Sequence, residues 1–289
     1  MVASDTSTPT PACLPPEGDV LSRARSENFS VASHLLPHAV RSHLMAIYGF
    51  ARLADEIGDS VVGNRLAMLD WLEHELERSA MGKAEHPLFR RLTPTIVAFH
   101  LPLLPFRKLI EANRRDQRVH RYETFDELLG YCDLSAAPVG RLVLAVLEAD
   151  TSERVAMADK VCCGLQVVEH LQDVAEDADR GRIYLPSEDL RRFGCSDSDL
   201  FAPQASQSLR QAIAIQVDRA RELLRPGVPL ALSLPPRERV AVSGFVAGGL
   251  GALDAICGAS YEVLGSSPRP RRRRVLVHMA RVFTGRKVA

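Results

Sequence analysis

The sequence predicts an all-α protein of one domain, and three observations lead there. Apolar residues recur at helical spacing through most of the 289 residues. Runs that alternate apolar and polar residues are scarce, so no sheet is expected. Connections between helical segments look short, and no Gly/Ser-rich linker divides the chain. Apolar residues make up 46% and charged residues 25%, ordinary for a globular protein with a substantial core.

Residues 1–17 are rich in Ser, Thr and Pro and read as a disordered tail. The helical domain then runs from 18 to 289. Segment 37–57 carries Val40, Leu44, Ile47, Tyr48, Phe50, Leu53 and Ala54, the pattern of a mostly buried helix. Segment 66–81 is amphipathic, with Leu69, Trp71, Leu72 and Leu76 on one side. Further helices are expected at 87–100, 105–120, 124–134, 138–148 and 153–178. Later ones fall at 187–193, 204–224, 235–246, 252–264 and 270–282. Several open on proline, which suits a first helical turn. Thr124 followed by Glu127 has the spacing of a capping box.

Lys+Arg and Asp+Glu both number 36, so net charge gives no reason to expect nucleic acid as a partner. The six cysteines show no CxxC spacing; buried reduced thiols in a cytoplasmic protein are expected. No apolar run of about 18 residues stands out as a membrane span. The N-terminus lacks a basic segment followed by an apolar one, so no secretory signal is read there.

Two acidic clusters carry the chemistry. Asp55-Glu56-Ile57-Gly58-Asp59 and Asp173-Val174-Ala175-Glu176-Asp177 each place two aspartates four residues apart in a helical segment. Residues at i and i+4 share a helix face, and like charges there weaken the helix unless a cation offsets them. A solvated acidic face is the plain reading of one such cluster. Two of them, in apolar helices with Arg52, Arg180 and Arg182 nearby, suggest Mg2+ held between facing helices. Magnesium takes oxygen ligands and is often shared between carboxylates and substrate phosphates. Arginine binds phosphate oxygens bidentately.

The words around these clusters say more. Residues 27–37 read ENFSVASHLLP, and 46–59 read AIYGFARLADEIGD. The second block, 166–177, reads QVVEHLQDVAED, followed by RGRIYLP at 180–186. Together they resemble the squalene and phytoene synthases, over roughly residues 22–267. The opening ENFSVAS and the stretch SAAPVG at 135–140 are most like the bacterial hydroxysqualene synthases. The resemblance implies a single-domain isoprenoid synthase fold with helices around a central cavity. It implies that Asp55, Asp59, Asp173 and Asp177 are metal ligands. Tyr48, Arg52 and Gln166 then contact the diphosphate or shape the pocket beside it, and Ser26 and Phe29 belong to a flap over the substrate. Tyr131 stands where the family places a tyrosine linked to carbocation chemistry. The family often has Asn at the position of Glu169 and Arg at that of Gln172. Glu169 can still ligate metal through oxygen, while Gln172 removes a phosphate partner.

The implied reaction is Mg2+-dependent ionisation of presqualene diphosphate, rearrangement, and capture by water to give hydroxysqualene, in hopanoid-type squalene supply. Arg52 and Arg182 would assist the leaving group, and Phe29, Tyr48 and Tyr131 would face the cation. Expected associates are a prenyl diphosphate (presqualene or farnesyl diphosphate), a presqualene diphosphate synthase, and peripheral contact with the inner face of the membrane. Plainer readings stand beside these. Tyr131 can be a hydrogen-bonded core tyrosine, Phe29 a packing residue and Arg182 a helix cap. Glu56 and Glu176 read as facing solvent or groups behind the metal. The run Arg269-Pro270-Arg271-Arg272-Arg273-Arg274 reads as a solvated helix end or a contact with anionic lipid. Competing functions are head-to-head condensation by a squalene or phytoene synthase, a helical nucleoside triphosphate pyrophosphatase, and a non-catalytic scaffold.

Overall fold

Prolines and short polar side chains start most of the helices. In the computed structural model, which describes residues 14–25 and 36–286, the first is α1 (Glu17–Ser22), followed by a 3-10 turn (Arg23–Arg25). Then come α2 (His38–Asp59), α3 (Arg65–Ala80), α4 (Pro87–Ala98) and α5 (Leu104–Asp116). The chain continues through α6 (Phe125–Ser135), α7 (Ala137–Val146), α8 (Ser152–Gln172), α9 (Val174–Asp179) and α10 (Ser187–Arg192). A 3-10 turn (Asp197–Phe201) precedes α11 (Gln207–Leu224), α12 (Gly227–Leu232), α13 (Pro236–Gly258) and α14 (Arg272–Thr284). The side chains of Asn64, Thr124, Thr151 and Ser206 accept from backbone N–H groups and cap α3, α6, α8 and α11. The Thr124 box forms in shifted shape: Glu127 accepts from the Glu123 N–H at 2.7 Å, one residue before the cap. No strand occurs among the described residues; an isolated bridge pairs Arg121 with Ile183.

Three expectations are corrected. The helix expected over 153–178 breaks at Asp173, whose backbone leaves helical values (φ −108°, ψ 17°). Asp173, Glu176 and Asp177 crowd like charge onto one turn there, which weakens the helix. The helices expected at 235–246 and 252–264 are one 23-residue helix, α13. Its glycines are close-approach sites and not a break: a Cβ on Gly249 would lie 2.6 Å from Leu165, and one on Gly251 2.8 Å from Val275. Finally, α13 and the α6–α7 run are long and apolar enough to cross a bilayer, contrary to the reading of the sequence. Yet α13 packs against α8, α11, α12 and α14, as a core helix does. The expected tail falls mostly outside the described residues, and Ser26 and Phe29 lie outside them too.

Two apolar clusters fill the interior. One joins α1 to α5 around Phe50, which meets Phe89 and Phe106 edge to face at 5.7 and 5.0 Å. The other is built by α6 and the helices from α8 onward, around Leu171, Leu209, Ile213, Val246 and Leu253. Helix α7 serves both, with Leu142 and Val146 in the first cluster and Ala137 and Leu144 in the second. The first acidic block therefore rides on one cluster and the second on the other.

Candidate active site

Helix α2 carries Tyr48, Arg52, Asp55 and Asp59 at spacings of four, three and four residues, which is one helical face. Gln166 and Glu169 lie one turn apart on α8, Asp173 stands at the break and Asp177 follows on α9. α2 and α8 make no extensive contact; α7 packs against both. The two blocks meet instead around Arg182. Its Nη1 lies 2.5 Å from Asp59 Oδ1, and its backbone N–H donates to the Asp177 carbonyl at 2.8 Å. Gly181, at φ 79°, makes the left-handed turn that closes α9 and sends Arg182 back toward α2. Ile183 N–H donates to His120 O, and Ser187 N–H to Tyr122 O, so this segment is pinned to the loop before α6. The backbone of Arg182 thus caps the helix, as the plain reading expected, while its guanidinium serves the first acidic block.

The acids differ in their surroundings. Enclosure by protein pushes the Asp55 carboxyl up to about 7, although it still reaches solvent. The Asn113 amide, donating at 3.2 Å, opposes that rise and the charge of Asp59 adds to it. Asp173 is pushed up to about 6, by partial enclosure first and then by Asp177 and Glu176. Burial pulls on the Arg182 guanidinium, but the bond to Asp59 holds it above its ordinary value. Of the two settings read for it, solvent or groups behind the metal, Glu56 takes the second. It is buried and accepts from Arg52 Nη2 at 2.8 Å, with Arg23 Nε at 3.0 Å. Glu176 does face solvent and pairs with Arg180 at 2.6 Å. Arg52 Nε is buried without a hydrogen-bond partner among the described residues. Tyr48 and Gln166 are half-buried, and Gln166 Nε2 lies 3.3 Å from His170 Nε2.

Tyr131 is buried and its hydroxyl donates to Asp116 Oδ2 at 2.6 Å. Tyr184 donates to the other oxygen at 3.2 Å. The His170 ring stacks on Tyr184 with centroids 3.7 Å apart, and its Nδ1 is 3.8 Å from Asp177 Oδ2. Asp116 is itself pushed up by burial and held down in part by these donors. Asn113, Asp116, His170 and Tyr184 were not singled out from the sequence. Tyr184 lies within the RGRIYLP stretch, which was a signal; Asp116 sits among charged residues that look like a solvated helix end.

Gln172 is buried, and its amide donates to Pro268 O at 2.9 Å. At this position, where the resemblance led to an expectation of Arg, the side chain ties α8 to the segment before α14.

The donor set suits a hard dication. It is all oxygen, and Asp55 and Asp173, pushed up to about 7 and about 6, are carboxylates whose ionised form an arriving cation would favour. Among the described residues no three acid, His or Cys side chains already converge on one point, and Asp59 is engaged by Arg182.

A profile of the squalene/phytoene synthase family matches residues 22–281. The hydroxysqualene synthase of Zymomonas mobilis is 38% identical over 205 residues, 70% of this chain and 68% of that protein. The 15-cis-phytoene synthase of Synechococcus elongatus is 34% identical over 211 residues, covering 68% of each. The crystal structure of squalene synthase HpnC from Alicyclobacillus acidocaldarius aligns at TM-score 0.78 with 44% identity, over 83% of this chain and 92% of that one. A dehydrosqualene synthase in complex with ligand aligns at 0.82 with 25% identity, over 93% and 95%. The fold and the sequence matches are those of an enzyme that processes prenyl diphosphates. This chain belongs to the squalene/phytoene synthase family.

Proposed function

We propose that this enzyme converts presqualene diphosphate to hydroxysqualene and diphosphate, with Mg2+ as its metal. The observation that carries the reading is the meeting of two acidic blocks at Arg182, with Arg52 on the α2 face of Asp55 and Asp59 and its Nε without a partner among the described residues. The similarity to hydroxysqualene synthases at 38% and 34% identity supports the product. Asp55, Asp59, Asp173, Asp177 and Glu169 would hold the metal, which would supply positive charge to the diphosphate oxygens.

The substrate's carbon–oxygen bond breaks, and the electron pair leaves with the diphosphate. Arg52 donates its free N–H to a phosphate oxygen, and Arg182 exchanges Asp59 for another. That exchange frees Asp59 as a ligand. The carbocation rearranges, a water oxygen bonds to it, and the extra proton passes to solvent or diphosphate. Tyr48 lies beside Arg52 on the same face and offers its ring to the cation.

The test is a product assay with Mg2+ and, separately, presqualene diphosphate and farnesyl diphosphate, each with and without NADPH. Hydroxysqualene from presqualene diphosphate without NADPH is expected. Turnover of farnesyl diphosphate to a head-to-head product would move the chain to the condensing enzymes, as the 34% identity to a phytoene synthase allows. Failure to turn over either would leave the scaffold reading.

A further inference from the structure

Helix α14 presents a face on which none of the other described elements is seen to pack. Its inner side is buried: His278 Nε2 lies 2.9 Å from Asp254 on α13, and Val282 is fully covered. The outer side carries Leu276 and Val277, 64% and 48% exposed, with Ala280 and Thr284 in line. At helical spacing Arg273 lies among them, Arg272 flanks one edge, and Arg274 and Arg281 flank the other. No acidic residue occurs from 268 to the end of the chain. Arg274 comes within 3.9 Å of Asp254, while Arg269, Arg271, Arg272, Arg273 and Arg281 make no ion pair among the described residues. Leu232, 41% exposed, lies beside Gly285 at the far end of the helix.

This arrangement works against the helix itself. Three arginines occupy the first turn, where the helix dipole is positive and where they repel one another. Whole-chain charge is zero, so the cluster is a local choice of composition. Exposed apolar side chains bordered by unpaired arginines match an anionic bilayer surface: the apolar groups enter the acyl boundary and the guanidinium groups meet lipid phosphates.

We propose that α14 docks the enzyme on anionic phospholipid, with Leu276 and Val277 inserted and Arg272, Arg273 and Arg281 on the headgroups. The docked helix is tied to the site. Pro268, four residues before α14, accepts the bond from Gln172, which adjoins Asp173. Docking therefore sets the second acidic block near the bilayer, where a long-tailed apolar substrate would partition. That last consequence rests on the proposed function; the docking itself does not.

The test is flotation of the full chain with phosphatidylcholine vesicles, with and without about 30 mol% phosphatidylglycerol. Binding is expected to the anionic vesicles alone and to fall at least about tenfold when salt rises from 0.1 to about 0.5 M. Leu276→Ser with Val277→Ser, and separately Arg272→Gln with Arg273→Gln, are each expected to weaken binding roughly tenfold or more. Both variants should keep wild-type melting and wild-type turnover of detergent-dispersed substrate. No flotation of the wild type, or flotation unchanged by either pair, overturns the proposal. So does sedimentation that shows a dimer dissolved by the Leu276 and Val277 changes without vesicle binding. Because flotation needs no turnover, its failure is distinct from failure of the product assay.

Discussion

Asp55 illustrates how one carboxylate reports on its surroundings. Its folded value near 7 lies above the ordinary 3.8, so the native state holds a proton that the unfolded state has released. The contribution of Asp55 to stability is therefore fully present below about pH 4 and is eroded as pH rises toward 7. Asp55→Asn removes that cost. Because the group reaches solvent the gain is discounted to about 1 kcal/mol, or roughly 2–4 °C in melting temperature at pH 8. The same variant should lose about 10²–10³-fold in turnover. Full activity in Asp55→Asn would refute the metal assignment. A second consequence concerns protons. Mg2+ binding at pH 6 should release protons from Asp55 and Asp173, and much less at pH 8, where both are already ionised. Calorimetry in two buffers of different ionisation heat measures this; no release at pH 6 would contradict it. Asp116 is a positioning residue: it orders Tyr131 and Tyr184. Asp116→Ala strands two buried phenols and should cost about 2–3 kcal/mol in urea unfolding, with Asp116→Asn intermediate.

At the scale of elements, glycines in α2 and α13 act as spacers. A Cβ on Gly58 would stand 2.0 Å from Asn113 Oδ1, inside the contact that supports Asp55. Gly58→Ala should therefore lower stability by about 1–3 kcal/mol and weaken Mg2+ binding as well. Gly249→Ala drives a methyl into Leu165 on α8 and not into Asn113, and should cost stability with a smaller loss of metal affinity. Equal metal affinity in the two variants would show that the Asn113 contact does not matter. The break at Asp173 belongs to this scale too. Helical periodicity runs straight through 153–178, and nothing local except the charge of three acids marks where the backbone bends. The same insensitivity divided α13 into two expected helices, because glycine weakens a helix in isolation and is welcome where helices touch.

For the molecule as a whole, Arg182 is the joint between two cores. Arg182→Gln frees Asp59 at a small cost in stability, about 1 kcal/mol or less for a partly exposed pair. Turnover should fall about 10²-fold with a raised KM, since the same guanidinium is proposed to take the diphosphate. Steady-state kinetics beside a melting curve separates the two effects; parallel losses would make Arg182 merely structural. The sequence alone determined the all-α class, most helix positions and the two acidic faces. Those follow from i, i+4 spacing, which is a property of a single helix. It also displayed the family's words at Tyr48, Arg52, Gln166 and Arg182. Only the tertiary structure decided that Arg182 reaches Asp59 across 123 residues, that Glu56 is buried, and that Asp116 gathers Tyr131 and Tyr184. Contacts between distant segments depend on how helices pack and turn, and no periodicity along one helix encodes which helix it will face.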